Sequence, residues 1–264
     1  MTATKSTLIK KITTLGILLT LTASSFILNA ATQSEPDPTI KEVFTGETVK
    51  VSRLPENIYL RDPNDPDDII WDRIPTYRIA VNAAPPVHSS TLLRFNPAQN
   101  GQVYFQLART ADRFYVRMRW KDATDNSAKT VDAFSDSAAI QFALKGENTS
   151  YMMGTGPDMP VNIWFWTASD TDVQNLAAGG FGSTTHLPEQ TVTGKATYKV
   201  DKNPQNNQRR LVMSREIKTK GKHQIALKKG IVPIAFALWQ GEDEQRDGNK
   251  MVTLGWVLMD LAAK

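Results

Sequence analysis

Apolar and polar residues alternate with a period of two along most of this chain. Phe114, Val116, Met118 and Trp120 fall on one side of an extended backbone, with Tyr115, Arg117 and Arg119 on the other. Val103, Phe105 and Leu107 alternate likewise, as do Ala138, Ile140, Phe142 and Leu144, and then Val232, Ile234, Phe236 and Leu238. Val252, Leu254, Trp256 and Leu258 carry the pattern towards the C-terminus. Alternation of this length marks half-buried β-strands. Turn formers separate the runs: Asn100-Gly101, Lys145-Gly146, residues 154–157 and Asp247-Gly248. Helical spacing is scarce, and residues 170–178, opened by an Asp in capping position, are the one short helix expected. Many short strands without helical crossovers predict an all-β fold, an antiparallel sandwich or barrel with few short helices in loops. No repeat of fixed period divides the chain, so residues 41–264 are read as a single domain. The polar stretch 178–208 is a long excursion of the kind that carries function on a rigid scaffold.

The first thirty residues break the pattern. Lys5, Lys10 and Lys11 precede an apolar run over residues 12–28, and the small residues Ala30 and Ala31 follow. This is the grammar of a secretory signal peptide over residues 1–30. An uncleaved N-terminal anchor is the rival, because the run is near the minimum for a membrane span. Residues 31–40, polar with two prolines, read as a leader. The 264-residue chain has a formal net charge of +4. Residues 1–30 contribute three lysines and no acid, so the remainder holds 28 basic against 27 acidic residues, a balance of +1. No basic field points to nucleic acid. The lysines between 218 and 229 are interleaved with Gly and Gln and read as a solvated strand–turn–strand.

Composition narrows the chemistry sharply. There is no cysteine, which excludes disulfides, thiolate metal sites, iron–sulfur ligation by this chain and covalent haem attachment through C-x-x-C-H. The histidines are three: His88, His186 and His223. No nucleophile elbow, H-E-x-x-H, Walker loop or dinucleotide fingerprint is present. Asp65, Asp67 and Asp68, and Glu242, Asp243 and Glu244, lie in loop-like sequence and read as solvated charge. The run 63–68 lacks the spacing and glycine of an EF-hand. Two places remain. In Tyr151-Met152-Met153-Gly154, adjacent methionines point to opposite faces, and the glycine lets a flat ligand approach the backbone. A thioether is a soft donor suited to haem iron or copper(I), although packing in the core is the ordinary use of methionine. Lys250 stands where a polar turn meets an apolar strand, the position of a snorkelling lysine or of a buried amine whose pKa is depressed.

Taken in order, several segments resemble the haem b-binding gamma subunits of periplasmic type II molybdoenzymes, such as ethylbenzene dehydrogenase, dimethylsulfide dehydrogenase, selenate reductase and chlorate reductase. They are Phe114-Tyr-Val-Arg-Met-Arg-Trp-Lys-Asp-Ala-Thr124, Asp136-Ser-Ala-Ala-Ile-Gln-Phe142, Tyr151-Met-Met-Gly154 and Val161-Asn-Ile-Trp-Phe-Trp166. Pro233-Ile-Ala-Phe-Ala-Leu-Trp-Gln-Gly241 and Gly248-Asn-Lys-Met-Val-Thr253 follow. The resemblance implies a β-sandwich like those of carbohydrate-binding and cytochrome domains. It implies one non-covalent haem b with methionine and lysine as axial ligands, which fall on Met153 and Lys250. Met152 is the register alternative, Met118 and His186 the more distant ones. Trp164, Trp166 and Trp239 are expected to wall the macrocycle, and Arg117 and Arg119 are candidates to meet its propionates. The implied role is non-catalytic electron transfer in the periplasm, between an iron–sulfur beta subunit, itself served by a molybdenum alpha subunit, and a soluble c-type cytochrome. The membrane enters only if the N-terminus is uncleaved. The rival expectation is a secreted carbohydrate-binding sandwich without haem, offering exposed tryptophans to sugar.

Overall fold

A computed structural model describes residues 39–262 except 57–59, 129 and 131. The signal-peptide reading, and all of the leader but Thr39 and Ile40, lie outside the described residues. The strands in chain order are β1 (Ile40–Glu42), β2 (Thr48–Lys50), β3 (Ser52–Arg53), β4 (Thr76–Ala83), β5 (Asn100–Arg109), β6 (Arg113–Lys121), β7 (Ser137–Ala143) and β8 (Val161–Thr167). Then come β9 (Gln174–Ala178), β10 (Thr185–His186), β11 (Thr193–Lys199), β12 (Gln208–Glu216), β13 (Ile231–Trp239), β14 (Met251–Val252) and β15 (Val257–Asp260). The α-helix among them is four residues long, Ser89–Leu92.

The strands hydrogen-bond in the order β10-β9-β8-β7-β13-β14-β4-β5-β6-β12-β11, with β15 beside β13 and β2 beside β15. Long neighbours run antiparallel, and only the short β1, β2 and β3 pair in parallel, with β4, β15 and β5. The sheet doubles over through the short β14, and its halves face each other as a sandwich. Rings from the two halves meet in the middle: Phe105 with Phe236 at 4.7 Å between centroids, Phe114 with Trp164 at 6.1 Å, and Trp120 with Trp166 at 6.2 Å. Tilted and edge-on pairs of this kind add about 0.5–1.5 kcal/mol each beyond their burial. Tight turn chemistry sets the register of β5 and β6. The Thr110 hydroxyl accepts the N–H groups of Asp112 and Arg113, closing the hairpin.

The alternating runs expected as strands are strands, with four local differences. Asn100-Gly101 opens β5, paired with Asn82 and Val81, and the turn lies just before it. Residues 174–178 form β9, because the open edge of β8 supplies backbone partners that a short helix would forgo. The run 252–258 is interrupted. Met251, Val257 and Met259 are buried, while Leu254 is exposed and Thr253 uses its hydroxyl to accept the Phe236 N–H. Residues 217–230 hold no strand. Their lysines are solvated as expected, while Ile225 and Leu227 plug the core.

One buried polar cluster fastens the frame around the site. Arg209 donates to Asp122, Asp136 and Asp125 at 2.8–3.2 Å and lies over the rings of Trp166 and Tyr198. The other oxygen of Asp136 accepts the N–H of Gly241 at 2.9 Å. The first residue of the motif 136–142 thus ties β7 to the turn that leads to Lys250. Removing one partner from such a cluster costs about 3–5 kcal/mol, because a buried charge is stranded.

Candidate functional site

Strand period decides where the site lies. In β7, Ala138, Ile140 and Phe142 enter the core, so Ala139 and Gln141 face outwards. In β8 the core side is Trp164 and Trp166, and the outer side is Ile163 and Phe165. In β13, Ile234, Phe236 and Leu238 point in, and Ala235, Ala237 and Trp239 point out. The outer face of this half is therefore apolar as well, and its alanines leave it low and flat. Loops from around residues 84–91, 133–135, 151–153, 181–184 and 245–250 rise about it. They enclose a cavity of about 1000 Å3, at the upper end of ordinary ligand pockets.

Met153 and Lys250 meet in this cavity. The Lys250 amine lies 3.8 Å from the Met153 sulfur, although 97 residues separate them in sequence. Met153 is carried by a turn whose backbone is unusual. Its φ is +68° and that of Gly154 is +84°. A left-handed backbone costs a non-glycine residue roughly 1–2 kcal/mol. Three contacts hold the turn: the Gln141 side chain donates to the Tyr151 carbonyl, Gly154 N–H to Ser150 O at 2.9 Å, and Gly180 N–H to Met153 O at 2.8 Å. Glycine is required at 154, since a Cβ there would stand 2.6 Å from the Met159 carbonyl.

Lys250 comes from the turn between β13 and β14. Its carbonyl accepts the Ala84 N–H at 2.8 Å, and the Trp239 indole N–H donates to Asp247 O at 3.2 Å. The amine sits 4.9 Å from the centre of the Trp239 ring, which in turn meets Phe165 edge-on. Burial lowers the Lys250 pKa to about 8, and the Asp247 carboxylate opposes the shift. A neutral amine is thus accessible near physiological pH, and only the neutral form has a lone pair to donate.

The other sequence candidates divide cleanly. Trp239 lines the cavity, and so does Met152. Trp164 and Trp166 do not. They pack between the layers, because they fall on the inward phase of β8. Met118 is fully buried in the same core, and His186 is exposed on β10 outside the cavity lining. Arg117 and Arg119 belong to the far half. Arg117 donates to Pro66 O and to the Gln106 side chain, and Arg119 stacks on Tyr104 at 4.4 Å. The excursion 178–208 contributes only its first part, Phe181 to Thr184, while β11 pairs with β12 in the far half. Sequence reasoning missed Gln141, Phe165 and the alanines. Their signal was present: β8 and β13 are apolar on both phases, which implies a second covered face.

The donor set suits a soft or borderline metal within an apolar ring. Met153 and Lys250 would offer such a metal one sulfur and one nitrogen donor. Among the described residues no group of three or more His, Asp or Glu could hold a metal ion instead.

The outer face of this half of the β-sandwich thus carries an amphiphilic cavity in which an amine faces a thioether. The sequence profile of the ethylbenzene dehydrogenase family matches residues 68–211, and the chain belongs to this family, the gamma subunits of type II molybdoenzymes. It is 48% identical over 219 residues to the dimethylsulfide dehydrogenase subunit gamma of Rhodovulum sulfidophilum, covering 83% of each chain. Against the chlorate reductase subunit gamma of Ideonella dechloratans it is 32% identical, covering 74% of this chain and 78% of that one. A Haloferax mediterranei protein assigned as a respiratory nitrate reductase heme subunit is 29% identical, covering 75% of this chain and 69% of its own. Among solved structures, a family 9 carbohydrate-binding module from Caldicellulosiruptor kristjanssonii aligns with a TM-score of 0.42 at 12% identity, over 83% of this chain and 95% of that one.

Proposed function

We propose that this chain is the electron-transfer gamma subunit of a periplasmic molybdoenzyme complex. It binds one non-covalent haem b in the outer-face cavity, with Met153 and Lys250 as axial donors. The observation that carries the reading is the 3.8 Å approach of the Lys250 amine to the Met153 sulfur across that cavity. The names of the relatives support it, since two are gamma subunits of oxidoreductases and a third is assigned as a heme subunit. When bound, haem supplies reversible one-electron chemistry at its iron. The chain supplies the rest. The Met153 thioether favours the ferrous state and raises the potential. Lys250 donates as a neutral amine from a site that already lowers its pKa. Ala139, Ala235 and Ala237 leave room for a flat ring, while Trp239 and Phe165 exclude water.

In this reading the subunit performs no substrate chemistry. It passes electrons between an iron–sulfur beta subunit, coupled to a molybdenum alpha subunit, and a soluble c-type cytochrome. A signal peptide over residues 1–30 delivers it to the periplasm, and no helix among the described residues is long and apolar enough to cross a membrane. The sugar-platform alternative finds no surface, because all six tryptophans are buried. The full chain, purified, is expected to show a b-type reduced spectrum and to release its haem completely into acidified acetone. A colourless protein that takes up no added haem would refute the reading.

A further inference from the structure

The cavity has one charged rim. Lys250 and Arg246 are the only cationic side chains among the described residues that line it, and Lys250 is engaged with Met153 and Trp239. Arg246 instead stands half-exposed where the cavity opens, its guanidinium stacked on Phe134 at 4.5 Å. Stacking on a ring fixes the plane of the fork without using its N–H groups. Its ion pair with Asp247 spans 3.5 Å through Nε, and the Asp247 side chain is 86% exposed, so solvent screens it. The exposed Asp247 carboxylate shares this rim and neutral Ser, Thr and Gln side chains line the walls, while the strand-face floor is apolar, with Ile163, Leu176 and Ala235. A cavity with a cationic rim and an apolar floor orients a flat amphiphile with its anionic edge outwards.

We propose that Arg246 is the carboxylate-binding residue of this cavity and receives a propionate of the haem. The inference rests on the haem reading above and deepens it, by fixing which edge of the macrocycle faces solvent. Arg117 and Arg119 cannot serve, since both lie on the other half of the sandwich with partners of their own. Arginine suits the task because its fork binds a carboxylate through two parallel hydrogen bonds.

The test compares two ligands that differ only in the group concerned. The full chain, freed of haem, is titrated with haem b and with its dimethyl ester, in wild type, Arg246→Gln and Arg246→Lys. Arg246→Gln is expected to weaken haem b binding about tenfold and to leave ester binding unchanged. Arg246→Lys should recover part of the loss through its charge. Equal losses for both ligands, or no loss for either, would overturn the assignment while leaving the haem reading intact. A wild-type chain that takes up neither ligand would overturn both.

Discussion

In the proposed haem site, Lys250 is the group whose protonation matters most. Its amine must be neutral to donate, and burial already lowers its pKa to about 8. In the haem-free chain this has a stability consequence with a definite sign. Below about pH 8 the folded chain carries a buried cation, and the cost is fully present. Between about 8 and the unfolded value near ~10.4 the unfolded chain binds the extra proton, so stability rises with pH. Chemical denaturation of the haem-free chain across this range should show the rise in wild type and lose it in Lys250→Met. Identical pH profiles would show that the amine is not buried in the folded state. Met153 is the complementary case. The resemblance puts the sulfur donor on Met153, with Met152 and, more distantly, Met118 as alternatives, whereas the φ of +68° at Met153 depends on contacts from Gln141 and Gly180, both distant in sequence.

At the scale of elements, the site depends on strands buried on both faces. Trp164 and Trp166 were expected to wall a ligand, yet their phase of β8 is the sandwich core. The other phase, with Ile163 and Phe165 on β8 and Ala235 and Ala237 on β13, is the cavity floor. The two faces should respond oppositely to substitution. Ala237→Phe fills the floor and is expected to abolish haem uptake with little change in the unfolding midpoint of the haem-free chain. Trp164→Ala empties the core and should cost about 3–5 kcal/mol of stability. Denaturation and haem titration of both variants check this, and a Trp164 variant that folds normally but rejects haem would reverse the assignment of faces. The all-β class and the long strands β5, β6, β7 and β13 were legible, because period two is a local property. The break in the run 252–258 was not, since it is imposed where β13 takes β14 and then β15 as successive partners.

For the whole molecule, the outcome is a sandwich whose core and whose cavity share strands but not faces. The core between the halves holds the aromatic pairs, and the clasp of Arg209 with Asp122 and Asp136 joins it to the turn that carries Lys250. The ordered motifs led to the right family because they include both sets of positions. They could not locate the cavity, which arises only when loops from five parts of the chain gather over one outer face. Arg117 and Arg119, in the first of those motifs, lie on the half of the sandwich away from the cavity, and the arginine at its rim, Arg246, lies in a turn without strand periodicity.

The central claim is that this outer-face cavity holds haem between Met153 and Lys250. The most direct test is the near-infrared magnetic circular dichroism of the ferric protein, which reports the pair of axial ligands through its charge-transfer band. A methionine–amine band is expected in wild type and in Met152→Ala, and its loss in Met153→Ala. Survival of the wild-type band in Met153→Ala would contradict the claim.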